Sequence, residues 1–346
     1  MTNLLIQTAF LGDVVLTTPL LAALAERDGP LDVVTTPAAA PLLETHPAVR
    51  RVIPYDKRGV DRGWRGLRDL ARRLQAEHYA AAYLPHRSLR SAALAWLARI
   101  PRRVGYRDGW RRLYTETRPR PTRGHEIDRL LALAAVPPHH QTVPSLQLTA
   151  ADVAAADALL RAAQIVPPFV ALAPGSIWGS KRWPHYEALA RRLVMRTDVI
   201  LVGGPEDVML ADAIVAAIPV PPGLPDGRGE GRRKVMNASG KLTLRQSAAL
   251  IQKASVLVTN DSAPLHFAQA VGTPTVVIFG PTVPVFGFGP RGPRDVSMGV
   301  DGLDCRPCSA HGPSACPLGH HLCMQSLSVE DVLHAVEETG ALHRRG

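Results

Sequence analysis

At 346 residues and 37.3 kDa, with 46% hydrophobic and 20% charged residues, the chain has an ordinary globular composition and enough length for two domains. It contains no apolar run of the ~18 residues that a membrane-spanning helix needs. The start, MTNLLIQTAFLGD, shows no basic leader or small-residue cleavage site, so a cytoplasmic chain is expected.

The net charge is +10, and it is unevenly placed. Residues 50–129 hold 21 Lys and Arg against 8 Asp and Glu, a local +13, which leaves 10 − 13 = −3 for the rest. A basic excess confined to one half points to an anionic partner: nucleic acid, an anionic membrane surface or a phosphorylated substrate. The plain alternative is an arginine-rich genome, since only 5 of the 40 basic residues are Lys.

In chain order, LLIQTA (4–9) reads as a strand that runs into the turn FLGD. A helix from Val14 to about Arg27 follows, with Asp13 at its N-cap. LDVVTT (31–36), VRRVIPY (49–55) and AAAYLPH (80–86) are further strands. Helical segments at 64–77 and 89–100 alternate with them, and a Pro/Arg-rich connection over 101–124 interrupts the rhythm. After a helix at 152–164, the VPP of 166–168 reads as a linker. The alternation then restarts with FVALAPG (169–175), a helix from Pro184, DVILVGGP (198–205) and a helix near 206–217. A Pro/Gly loop (219–233), a strand near KVMNASG, a helix through SAALIQ and VLVTNDSAPLHFAQAVGTPTVVIFGP (256–281) follow. Strands that alternate with helices imply right-handed crossovers. The expected fold is α/β, two doubly wound Rossmann-like parallel-sheet domains over 1–166 and 167–346, with the last helix free to pack back on the first domain. Ligands of such sheets bind outside the carboxyl ends of the strands, so the two sets of strand-end loops are expected to face each other across one cleft.

Five stretches carry candidate chemistry. In LGDVVLTTP, Gly12 permits a sharp turn, and Asp13 is either a helix cap or a general base for a hydroxyl. In PGSIWGSKRWP, Ser176, Lys181 and the helix start behind Trp183 suit a phosphate, although no Walker motif is present. In LVGGPED, Gly203 lets a ligand approach the backbone, and Glu206 either bonds a ribose diol or answers its own helix dipole. In NDSAPLH, Pro264 at the helix start leaves the amides of Ala263, Leu265 and His266 for a diphosphate that needs no metal. There Ser262 adds a donor, and His266 either packs or touches ligand. Finally, Cys305, Cys308, Cys316 and Cys323, all four cysteines of the chain, fall within 19 residues. In a reducing compartment they suit a structural Zn²⁺ held by thiolates, or a loop of reduced thiols.

Taken together, GDVVLTTP, PGSIWGSKRWP, GGPED, the block from ASGKLTLRQSAALIQKAS to VVIFGPT and the tail CRPC…CPLGHHLCM resemble, in register and over nearly the whole chain, the ADP-heptose:lipopolysaccharide heptosyltransferases. That resemblance implies a GT-B fold and inverting transfer of heptose from an ADP-sugar to the inner core of lipopolysaccharide, with no cofactor required for catalysis. It makes Asp13 the base, Lys181 the group that neutralises the departing diphosphate, and Asp261 the residue that places the heptose. Ser262, Ala263 and His266 would line the donor, Glu206 would meet the ribose, and Leu242 with Thr243 would flank adenine. The acceptor's phosphates and carboxylates would dock on Arg58, Arg62, Arg87, Arg90, Arg107, Arg111 and Arg120, and the same cationic face would hold the enzyme peripherally at the anionic inner leaflet. Two features depart from the family pattern: Ile177-Trp178 in the phosphate loop and the insertion at 219–233. The tail leans to the second-heptose group or a related core transferase. A sugar-nucleotide 2-epimerase on the same fold is the rival enzyme. A non-enzymatic nucleic-acid or membrane module is disfavoured by the lack of interleaved aromatics, so no nucleic acid is expected as a partner.

Overall fold

A computed structural model describes residues 2–137, 142–218 and 233–342. The expected 219–233 loop lies, but for its last residue, outside the described residues. Two compact units divide between Gln147 and Leu148.

The first unit opens with β1 (Asn3–Ile6), α1 (Leu11–Leu16), α2 (Thr18–Asp28), β2 (Leu31–Thr35) and α3 (Ala40–Leu43). It continues with β3 (Val49–Pro54), α4 (Gly63–Ala76), β4 (Ala81–Tyr83) and α5 (Leu89–Leu97). It closes with β5 (Arg102–Tyr106), β6 (Glu116–Arg118) and α6 (Glu126–Leu131). Its sheet is parallel throughout, in the order β3-β2-β1-β4-β5-β6. Leu4 and Ile6 of β1 are fully buried and share one core with Leu67, Leu70 and Leu74 of α4 and Ala92 and Leu94 of α5. The i, i+3, i+7 spacing of the α4 leucines is what turns its arginines to solvent.

The second unit runs α7 (Ala150–Ala163), β7 (Val170–Ala173), α8 (Tyr186–Leu193), β8 (Val199–Leu201) and α9 (Val208–Ala216). Then come β9 (Val235–Asn237), α10 (Leu244–Gln252), β10 (Val256–Asn260), α11 (Ala263–Val271) and β11 (Thr275–Ile278). It ends with β12 (Val296–Met298), α12 (Leu322–Gln325) and α13 (Val329–Glu338). The sheet order is β12-β11-β10-β7-β8-β9, again all parallel. Counted from the start of each unit, both sheets have the same strand order. Both therefore reverse direction at one place, between β1 and β4 and between β7 and β10, and such a switch point opens a crevice at the strands' carboxyl ends.

Several expectations are corrected. The helix at 150–163 belongs to the second unit, not the first: α7 packs on α10, where Arg245 bonds Asp152 (2.9 Å) and Lys253 bonds Asp157 (2.8 Å). The boundary thus falls well before 166. The last helix, α13, packs on α8 and β11 of its own unit. The helix after β1 is broken at Thr17, because Pro19 has no amide for the Val15 carbonyl and the Thr18 hydroxyl bonds it instead (2.8 Å). Asp13 is not the N-cap. Phe10 holds that position, and Asp13 reaches back to its amide (3.2 Å) from one turn inside.

The Pro/Arg-rich stretch hides two strands, β5 and β6. Arg102 bonds Glu116 on the neighbouring strand (2.9 Å), and Arg103 donates to the carbonyls of Leu113 (2.7 Å) and Ile100 (2.5 Å). Arginine here supplies the edge with partners, which hydrophobic alternation does not reveal.

Candidate functional site

In the first unit, the segment after β1 carries Gly12 and Asp13 to the switch point. Burial, followed by the nearby charge of Glu126, raises the Asp13 pKa to about 6, against the lowering effect of the Phe10 amide. The last residues of β3 and β4 lead to Lys57 and His86 at the same edge. Lys57 donates to the Thr8 carbonyl (2.8 Å), and burial followed by Arg58 and Arg90 lowers its pKa. His86 is likewise lowered by burial, then by Lys57 and Arg87, so its ring stays neutral among cations.

The seven arginines offered for an acceptor separate into two groups. Arg87 pairs with Asp108 (2.7 Å), and Arg90 bonds the Tyr55 hydroxyl and the Gly63 carbonyl (2.8 Å) while stacking over the Tyr55 ring. Arg120 grips the Glu126 carboxylate (2.6 and 2.7 Å). Arg58, Arg62, Arg107 and Arg111 are exposed, with no side-chain partner among the described residues. Other members of the +13 stretch are structural: Arg50 and Arg51 both clamp the fully buried Asp32, which also accepts from the Tyr79 hydroxyl (2.6 Å). Part of the basic excess is thus structural.

In the second unit the tightest constellation is built from β7, β10 and β11. Lys181 is buried and donates to the Asp261 carboxylate (2.7 Å) and to its carbonyl (3.1 Å). The Thr282 hydroxyl donates to the same Oδ2 (2.7 Å). His266, also buried, pairs its Nδ1 with Gln269 Oε1 (3.0 Å), and burial lowers its pKa. Lys181 and Asp261 both act on it electrostatically, so the three side chains share one neighbourhood.

Two residues not singled out from the sequence hold this group. Thr282 lies four residues beyond the end of β11 and reaches the Asp261 carboxylate from there. Asn260, fully buried, donates to the carbonyls of Pro174 (2.9 Å) and Gly175 (3.3 Å) and accepts from the Trp183 amide and the Tyr186 hydroxyl (both 3.2 Å). Its place beside Asp261 was visible, but its four partners come together only through the parallel register.

Other expected residues have local work. Ser176 accepts from the Trp178 amide (3.2 Å), and Arg182 folds back on the Ser176 carbonyl (2.8 and 3.0 Å), leaving Lys181 as the loop's inward cation. Of the three amides expected at the start of α11, that of Leu265 is already turned onto the Ser262 carbonyl (3.1 Å), while Ser262 gives no side-chain cap. Gly203 and Gly175 together make room for the Asp207 carboxylate, which a Cβ at either position would strike. Glu206 beside it is exposed, and Thr243 caps α10 in a reciprocal pair with Gln246, with Leu242 just before it.

The cysteine-rich stretch packs against the lysine. The Ser180 hydroxyl bonds the Pro313 carbonyl, the His321 ring bonds the Ser180 carbonyl (2.7 Å), and a Cβ on Gly312 would stand 3.3 Å from Lys181 Cε. Among the described residues, no three Cys, His, Asp or Glu side chains are arranged to hold a metal, so the placed thiols do not form the expected four-thiolate Zn²⁺ set. Burial raises Cys323 to about 11. For Cys316, burial is outweighed by the amides of His321, Leu318, Gly319 and His320, which lower it.

The profile of glycosyltransferase family 9 (heptosyltransferase) matches residues 67–317. Lipopolysaccharide heptosyltransferase 2 of Salmonella typhimurium is 28% identical over 305 residues, covering 82% of this chain and 84% of its own. Lipooligosaccharide heptosyltransferase 2 of Haemophilus influenzae is 29% identical over 274 residues, covering 74% and 76%. Among solved structures, ADP-heptose lipopolysaccharide heptosyltransferase II of E. coli superimposes with a TM-score of 0.77 at 25% identity, over 98% of each chain. A family 9 glycosyl transferase from Veillonella parvula gives 0.83 at 21%, over 98% of this chain and 96% of that one. With the profile spanning most of the chain and the paired six-stranded sheets matching those structures, this protein is a member of glycosyltransferase family 9, the heptosyltransferases.

Proposed function

We propose that the chain transfers a heptose from ADP-heptose to the inner core of lipopolysaccharide with inversion at the anomeric carbon. The observation that carries this reading is the buried Lys181–Asp261–Thr282 group at the switch point of the second sheet, in a chain of this family. Breaking the anomeric carbon–oxygen bond sends two electrons onto the ADP diphosphate. A buried cation is the side chain best suited to receive that charge, because little water screens it. Both bonds to Asp261 fall on Oδ2, which leaves Oδ1 for a sugar hydroxyl. The acceptor hydroxyl attacks the face opposite ADP and gives its proton to Asp13, whose raised pKa makes it a stronger base than an ordinary aspartate. Arg58, Arg62, Arg107 and Arg111 supply forks for acceptor phosphate and carboxylate. The relatives named heptosyltransferase 2 favour a singly heptosylated acceptor.

A donor screen tests this reading, with ADP-heptose set against other ADP-, UDP- and GDP-sugars and with Kdo₂-lipid A or its mono-heptosylated form as acceptor. ADP is expected only from ADP-heptose, and only with acceptor present. Turnover of a UDP-sugar without acceptor would move the assignment to an epimerase.

A further inference from the structure

The nine-residue helix α11 buries two polar side chains beside the Lys181–Asp261–Thr282 group. His266 is 5% exposed and Gln269 is 7% exposed. Counted from the N-cap Ser262 they stand at i+4 and i+7, so the three residues share one face of the helix. Helical side chains lean towards the N-terminus, and the His266 ring therefore inclines to the end where Asp261 precedes the cap. The Phe288 ring stands edge to face with the imidazole, centroids 6.5 Å apart.

The hydrogen bond between the two side chains decides which ring nitrogen holds the proton. His266 Nδ1 lies 3.0 Å from Gln269 Oε1. An amide oxygen can only accept, so Nδ1 carries the hydrogen. Burial lowers the pKa of the ring and keeps it neutral, and a neutral imidazole has one donor and one acceptor. Nε2 is then the acceptor. It has no partner among the described residues, yet it is not one of the side-chain atoms sealed from water. Gln269 Nε2, by contrast, is buried without a partner. An unpaired buried amide is unfavourable, and an apolar side chain of similar size would avoid it. Stability alone therefore does not account for Gln269.

We propose that Gln269 is a positioning residue that fixes His266 as the Nδ1–H tautomer, so that Nε2 accepts a hydrogen bond from a hydroxyl of the transferred sugar. This rests on the reading of the chain as an enzyme that binds ADP-heptose. A lone pair at Nε2 attracts a hydroxyl and repels an unprotonated phosphate oxygen, whereas the Nε2–H tautomer would do the reverse. The sugar is favoured over the ribose by position. His266 leans to the end of β10, while Glu206, the residue expected at the ribose, follows β8, two strands away in the sheet. Asp261 Oδ1 and His266 Nε2 then give the sugar two acceptors at the head of α11, and the diphosphate is left to Lys181.

Two measurements on the full-length protein test the proposal. The first needs no ligand: a long-range ¹⁵N–¹H correlation spectrum of the His266 ring, identified by its loss in His266→Asn, reports which nitrogen is protonated. The wild-type proton is expected on Nδ1, and Gln269→Leu is expected to move it to Nε2. The second is calorimetric titration with ADP-heptose and with ADP. Gln269→Leu is expected to weaken ADP-heptose binding by roughly tenfold and to leave ADP binding unchanged. In the His266→Asn background the same substitution is expected to weaken ADP-heptose no further, which a merely structural role would not predict. A wild-type ring protonated at Nε2, a tautomer that Gln269→Leu leaves in place, an equal loss for ADP and ADP-heptose, or a second loss in the His266→Asn background would each overturn the proposal. If Gln269→Leu does not fold, Gln269→Met takes its place, and the wild-type spectrum can overturn the proposal without any variant. If the wild type binds no ADP-heptose, the functional reading fails and takes the hydroxyl assignment with it, while the spectra still decide whether Gln269 sets the tautomer.

Discussion

Asp13 is a group whose surroundings favour its neutral form, and that has consequences for both activity and stability. As a base it must be ionised, so kcat/KM is expected to rise with pH through about 6 and level off above 7. The stability effect has the opposite sign. A folded-state pKa raised above the unfolded 3.8 means that the native chain binds the extra proton, so the cost of this carboxylate to stability grows as pH rises through 3.8 and is complete above about 6. Asp13→Asn should therefore abolish transfer, by roughly 10²–10⁴-fold, while melting higher than wild type at pH 8. The gap in melting temperature should close below about pH 4. A lower melting temperature at pH 8 would show that the carboxylate's bond to Phe10 outweighs its burial.

Lys181 and Asp261 behave as one unit. Removing the lysine alone leaves a buried carboxylate with only the Thr282 hydroxyl, and such a break costs about 3–5 kcal/mol. Lys181→Ala is expected to lose both activity and melting temperature. Lys181→Ala combined with Asp261→Asn should regain much of the melting temperature and none of the activity, because neutralising the orphan charge restores the fold but not the cation. Recovery of neither would mean that Asp261 is not the lysine's main partner.

At the scale of elements, the sequence was informative where one local rule dominates. β1, β2, β7, β8, β10 and β11 are short apolar runs stopped by turn residues, and they are found where expected. β6 and β12 were missed because each has three residues and lies at a sheet edge, where polar side chains are tolerated, and β5, next to that edge, because it opens on two arginines that bond Glu116 and nearby carbonyls. The site was legible to a similar extent. Asp13, Lys181 and Asp261 stand at strand ends beside motifs, but Thr282 and Asn260 matter through partners that only the folded register supplies. The fate of the arginines was hidden for the same reason, since Asp32 and Glu126 bear no sequence mark of the charges they hold.

The cysteine-rich segment adds an element-scale prediction. Gly312 has φ +78° and sits against the Lys181 side chain and Pro281. Gly312→Ala would force both a left-handed backbone and a methyl beside the amine, costing about 1 kcal/mol of stability. It should raise the donor KM more than it lowers kcat, as steady-state kinetics would show; an unchanged KM would detach this segment from the lysine.

For the whole molecule, the relevant quantities are the +10 charge and where its free part lies. No helix among the described residues is long and apolar enough to cross a membrane. The first unit nevertheless exposes Val60, Trp64, Leu89, Trp96 and Trp110, along with the unpaired Arg58, Arg62, Arg107 and Arg111. Exposed cationic and aromatic groups on one unit suit an anionic interface. Co-sedimentation is expected with vesicles that contain phosphatidylglycerol, but not with phosphatidylcholine alone. It should be lost towards 1 M NaCl, where the screening length falls to ~3 Å. Retention at high salt would point to insertion of the aromatics in place of charge.

The packing of Gly312 on Lys181 also bears on how this protein can vary. The Lys181 side chain is packed by a segment far down the chain that contributes no strand to the sheet. If Lys181 meets the leaving group as proposed, drift in that segment would retune donor affinity while the scaffold stays intact, so a library aimed at altered donor choice, or a search for inhibitor-resistant variants, has reason to begin at residues 304–321 before the strand ends themselves.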